Sequence, residues 1–150
     1  MNFSDFDDDH EIQENEESSS LNNSVNNKEN GHQINNINQT ILVHMEQVAR
    51  NNIENGQIEK AFENFDNCIE HLLNIVEEPS YSSVFQEFLD RTVNYLNDVS
   101  LKILQNGKSR DSLRILDKCI ALTNPDKYGA SPQLRNLTFN HMGCCYRRMG

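Results

Sequence analysis

The stretch Asn136–Gly150, NLTFNHMGCCYRRMG, decides how the chain is read. Its apolar residues Leu137, Phe139, Met142, Tyr146 and Met149 fit one helix, and the run stops at a glycine. Asn55-Gly56 and Asn106-Gly107 close two earlier helical runs in the same way, glycine taking the left-handed position after a helix at no steric cost. A second helical run follows each of those earlier glycines. None follows Gly150, so the pattern predicts a repeat array cut in the middle of a unit.

Working outward, the glycines bring the other residues into register. Seven residues before each stands a small residue: Ala49, Ser100 and Gly143. Ala61 and Ser112 follow the first two glycines at one shared distance, Phe65 and Leu116 at a second, and Cys68 and Cys119 at a third. Small residues recur where two helices approach closely, and large ones where a gap must be filled. The physical content is an antiparallel helix hairpin with a tight crossing point, stacked on copies of itself.

Each segment carries its own signals. Ile41, Met45, Val48, Ala49 and Asn52 form the apolar stripe of a first helix. Ile58, Ala61, Phe65, Cys68, Ile69, Leu72 and Leu73 form that of a second, ending near Glu78-Pro79. A longer helix spans Tyr81 to Gln105, with Ser83 and Gln86 reading as an S-x-x-Q capping box. Ser109 can cap the next helix, which carries Leu113, Leu116, Cys119, Ile120 and Leu122 and stops at Asn124-Pro125. A turn over 126–130 leads to Ser131-Pro132, an N-cap serine with proline at the first helical position.

Residues 1–36 differ in kind. They hold nine acidic groups against Lys28 alone, with few large apolar residues and a run of asparagines. Such a segment buries too little apolar surface to offset its ordering entropy, so a disordered tail is expected. Phe3, Phe6 and Ile12 would be its docking residues if it served as an acidic interaction arm. The remaining 37–150 is near-neutral and divides at about 37–79, 80–130 and a half repeat, 131–150.

The net charge of -10 and the lack of a basic run argue against a nucleic-acid ligand. No stretch approaches the ~20 apolar residues of a membrane span, and the first residues lack a signal-peptide pattern. A cytoplasmic protein with four reduced cysteines is the expectation. His141, Cys144 and Cys145 share one helical turn and could touch one metal ion, but no fourth ligand is supplied, and packing accounts for them. No phosphate loop or nucleophile motif occurs, and no cofactor, metal or catalytic residue is expected.

The pattern resembles the tetratricopeptide repeat (TPR) family. Gly143, Tyr146 and Gly150 match the first helix of that repeat; Ala61, Phe65 and Cys68 match the second; Asn124-Pro125 matches the closing turn. No tryptophan opens a repeat, Asn52 and Ile103 stand at the aromatic position, and the units are longer than the family's about 34 residues. The resemblance implies an all-α superhelix of stacked hairpins behind the tail, acting as a scaffold that holds a peptide or helix in a concave groove. Carried over by position, the groove would present Val43, Glu46, Arg50 and Ile53 from the first repeat. Asn94, Asn97, Leu101 and Leu104 would follow from the second, and Leu137, Asn140, Cys144 and Arg147 from the third. Glu46 and Asp98 intrude where carboxylate-binding members carry cations, so a mixed apolar and amide groove is expected instead. Two alternatives stand beside it: a structural subunit of a cytoskeletal or ciliary assembly, and the targeting arm of an enzyme whose catalytic domain lies outside this chain. The exposed terminal half repeat is a further expected surface of association.

Overall fold

The computed structural model describes residue 36 and residues 38–150, and the described residues are helical with no strand among them. Contacts divide the chain into Met1–Ile41 and Leu42–Gly150. The expected disordered tail and its Phe3, Phe6 and Ile12 lie outside the described residues. The helices are α1 (38–54), α2 (Ile58–Leu73), α3 (Ser83–Gln105), α4 (Ser109–Leu122), the single turn α5 (Pro125–Tyr128) and α6 (Pro132–Met149). A short 3-10 turn, Pro79–Tyr81, precedes α3.

The two glycine turns are built alike. Gly56 (φ 75°) donates to Ile53 O at 3.0 Å and Gln57 N to Asn52 O at 2.8 Å. Gly107 (φ 81°) donates to Leu104 O at 3.0 Å and Lys108 N to Ile103 O at 3.2 Å. Both pairs are the 5→2 and 6→1 bonds of a Schellman turn, which needs a left-handed residue where glycine stands. The chain re-enters a helix at once: Ala61 N bonds Gln57 O and Ser112 N bonds Lys108 O. The N-cap position of α4 therefore falls on Lys108, and Ser109, expected to be the cap, lies inside the helix.

Contacts between residues twelve apart cross the hairpins. Ser112 Oγ donates to Ser100 O at 2.8 Å, and Asn52 Nδ2 donates to Asn64 Oδ1 at 2.6 Å. Ala49, Ala61, Ser100 and Ser112 are all fully buried, as small residues at a close crossing should be. Phe65, Cys68, Leu72, Phe85, Phe88, Leu96, Ile115 and Cys119 join the core cluster that fills the first two hairpins. A smaller cluster, Leu104, Leu116 and Cys145, carries α6 on α3 and α4.

Three boundaries differ from the sequence expectation. Helix α2 stops at Leu73, with the Asn74 N–H closing on Glu70 O and Leu72 O, rather than running on to Glu78. Carrying Glu77 and Glu78 in its last turn would set two carboxylates against the negative helix end. The cap of α3 is Ser82, whose Oγ accepts from Phe85 N at 3.3 Å; Ser83 is the first helical residue. Gln86 does not reach back to the cap: its Nε2 donates to Tyr128 O at 2.7 Å and Pro79 O at 3.1 Å. That amide ties the start of α3 to α5, where Phe85 and Tyr128 rings lie 5.6 Å apart. The turn expected over 126–130 begins as a helical turn. Asn124 Oδ1 accepts from Asp126 N, and Gly129 (φ 64°) closes it.

Ion pairs join the second helices of the two hairpins. Arg114 meets Glu59, and Lys118 Nζ meets Asp66 at 2.5 Å. Pairs this exposed add at most about 1 kcal/mol each, so they register one hairpin on the next more than they hold it.

Candidate functional site

The expected groove residues separate into those that hold the first helices together and those that remain open. Glu46 on α1 is buried and receives two arginines. Arg91 on α3 binds it at two points, Nη2 to Oε2 at 2.8 Å and Nε to Oε1 at 3.0 Å. Arg50, one turn along α1, donates to Oε1 at 2.7 Å and lies over the Tyr95 ring at 4.2 Å. Burial pushes the Glu46 carboxyl up, but the hydrogen bonds and charges of Arg91 and Arg50 outweigh it, leaving the pKa below the ordinary value of 4.5. An ionised carboxylate is stable here because both oxygens are satisfied.

One repeat further on, Glu46 is replaced by Asn97. It is fully buried, and its Nδ2 donates to Val93 O and to Thr138 Oγ1 on α6, each at 3.0 Å. Successive contacts advance together along each pair, Glu46 to Arg91 and Arg50 to Tyr95, then Asn97 to Thr138 and Leu104 to Arg148, so α1 and α3, then α3 and α6, run side by side in the same direction. Two arginines on α6 fix its other ends. Arg135 Nη1 donates to Ile120 O and Thr123 O at the C-terminus of α4, and Arg148 Nη1 to Leu104 O at that of α3. Both sit at a helix C-terminus, where the aligned carbonyls favour positive charge, and at Leu104 O the arginine adds to the bond already donated by Gly107 N.

Glu46, Asn97 and Ile53, with Leu104 from the wider set, are buried, and their side chains are not available to a partner. Val43, Asn94, Leu137, Asn140 and Arg147 are exposed, whereas Leu101, Cys144 and Arg50 are half-covered. Leu101, Cys144 and Arg147 come together with Leu104, Gln105 and Arg148 around an open cleft of about 310 Å³ between α3 and α6. Arg147 Nη2 lies 3.1 Å from Cys144 Sγ at its edge.

Arg91 and Thr138, which the positional reading passed over, prove central to the joints. A signal existed: Glu46 and Asn97 stand in the same repeat position, and two polar residues recurring there imply a recurring polar neighbour.

The cysteines sit in packing positions. Burial pushes the thiols of Cys68 and Cys119 up to about 12, the Glu46 charge adding to the effect at Cys68. Neither is a nucleophile at neutral pH. Cys145 is buried with its Sγ 3.1 Å from Ser112 Oγ, and Cys144 is half-covered. His141 is held below the ordinary histidine value by burial, against a small opposing pull from Asp98. Among the described residues, no three His, Cys, Asp or Glu side chains are grouped as metal ligands. No helix among them is long and apolar enough to cross a membrane.

Compared with protein-family models, curated proteins and solved structures, the chain matches none.

Proposed function

We propose that the chain is a TPR-like interaction scaffold that holds a peptide or helix of another protein along its first helices, α1, α3 and α6. The observation that carries the reading is that one repeat position, Glu46 and then Asn97, twice reaches across to the next first helix, at Arg91 and at Thr138. Joints of this kind set consecutive first helices side by side and leave one continuous face to the outside. Asn94, Leu101, Leu137, Cys144 and Arg147 lie along it, mixing apolar, amide and cationic groups in the manner of a peptide groove. Arg147 and Arg148 border its cleft among neutral residues, a mixture that suits an amphipathic segment carrying an acidic group.

Panning a random peptide library against the full chain tests this. Selected peptides should lose about tenfold or more in affinity for a Leu101→Ala, Leu137→Asp, Arg147→Ala variant that melts normally, as truncation of anchor contacts does. Selected peptides that bind the triple variant as well as the parent would reject the groove.

A further inference from the structure

The outer stripe of α3 changes sign along the groove. Asp90, Asn94, Asp98, Leu101 and Gln105 follow one another at spacings of three and four, so they share one side of the helix. Asn94, Asp98 and Gln105 are exposed, and Asp90 and Leu101 are half-covered. Asp98 forms no ion pair among the described residues. Arg91 is taken by Glu46, and Lys102, one turn beyond Asp98, points into solvent without pairing to it. The Asp98 charge reaches His141 on α6, which puts the carboxylate on the side of α3 that faces α6.

The lower end of the same seam is positive. Arg148 Nη1 donates to Leu104 O, which sets its guanidinium beside the last turn of α3, and Leu101 and Gln105 line the cleft with it. Leu104 lies six residues beyond Asp98, about 9 Å along the axis at 1.5 Å per residue. The acid nearest Arg148 on α4, Asp111, is turned to Arg114. On the α1 side the place of Arg148 is held by Glu54, so the positive end belongs to the α3–α6 half of the groove.

These places stay open where the chain runs on. Arg50 and Leu101 stand in the repeat position of Cys144, and Glu54 and Gln105 in that of Arg148. The first two are half-covered and the second two exposed, although α2 and α4 follow their glycine turns. A further helix after α6 would leave this seam as α4 leaves the seam of α1 and α3. Asp98 itself sits between α1 and α6, with both neighbours in place.

We propose that the groove takes an amphipathic helix of a partner protein, with an acidic residue against Arg148, a basic residue about seven positions away against Asp98, and apolar side chains over Leu101 between them. This rests on the groove reading and adds the sign and spacing of its charges. Seven residues are two turns, so both charges fall on one face of the bound helix.

The peptides selected on the full chain carry the test. They should be enriched in an Asp or Glu and a Lys or Arg about seven residues apart. Asp98→Lys changes an exposed side chain, so the variant should melt with the parent. It should bind those peptides about fivefold more weakly, since reversal turns an attraction into a repulsion. Changing the peptide's basic residue to glutamate should restore affinity for Asp98→Lys and lower it for the parent. Selected peptides without the charge pair, equal binding to Asp98→Lys, or no rescue by the glutamate peptide would each overturn the proposal. A concentration-dependent dimer of the parent that Asp98→Lys dissolves would assign the charges to a second copy and overturn it as well. The groove reading fails by a different result, unchanged binding to the Leu101→Ala, Leu137→Asp, Arg147→Ala variant. A library that yields no binder sinks both.

Discussion

Glu46 and Arg91, 45 residues apart in the chain, meet in a two-point contact at 2.8 and 3.0 Å that fixes the register of α3 on α1. Replacing Arg91 with methionine keeps its apolar stem but leaves Glu46 buried with Arg50 as its sole cation. The expected cost is about 1.5–3 kcal/mol, the size of a charge-assisted bond, read as a lower urea midpoint. The contact also makes stability pH-dependent. The folded pKa of Glu46 lies below its unfolded value, so its contribution is complete above about pH 5 and is lost as pH falls through the folded value, below 4.5. Urea midpoints from pH 6 to pH 3 should fall for the parent, and by less for Glu46→Gln. Identical slopes would remove Glu46 from the acid sensitivity.

Asn97 offers the opposite test. Its Nδ2 serves Val93 O and Thr138 Oγ1, and its Oδ1 has no partner among the described residues. Asn97→Asp removes both donors and sets a carboxylate against a carbonyl. A loss of more than about 3 kcal/mol is expected at pH 7, since a buried charge without a partner is costly. The defect should shrink as the buried group protonates toward pH 4. Denaturant melts at the two pH values measure it; a defect that grows at low pH would contradict this account.

Gly56 and Gly129 both have positive φ, but their surroundings differ. A Cβ on Gly56 meets nothing within 4 Å, whereas one on Gly129 falls 2.9 Å from Ser80 Cβ and Oγ. Gly56→Ala should cost about 1–2 kcal/mol, the left-handed penalty alone. Gly129→Ala should cost clearly more, because the 3-10 turn before α3 must also shift. Thermal melts of the two variants, compared directly, decide it.

Thiol labelling should be selective. Of the four cysteines, Cys68, Cys119 and Cys145 are buried and Cys144 is half-covered. In the native protein one thiol should react within minutes at pH 8, and Cys144→Ser should remove that phase. The other three should react only on unfolding, and a fast phase that survives Cys144→Ser would show that the core opens readily.

The helices, their pairing and their small crossing residues were legible in the sequence because they rest on local chemistry. Glycine must follow a helix that ends left-handed, and small residues must stand where two backbones meet. Gly56 with Ala49 and Ala61, and Gly107 with Ser100 and Ser112, are therefore recognisable without coordinates. Asn136–Gly150 was likewise legible as a helix. Groove membership was not, because position on a helix face does not tell a solvent-facing residue from one covered by the next helix. Glu46 and Asn97 look like surface groups and are interior joints, since Arg91 and Thr138 arrive from 45 and 41 residues away. The same holds for Ser83 and Gln86, whose spacing suits a capping box. The amide serves Tyr128 O instead, a carbonyl brought near only when α5 folds back onto α3. Local periodicity determined the elements, and long-range satisfaction of buried polar groups decided which of their residues face outward.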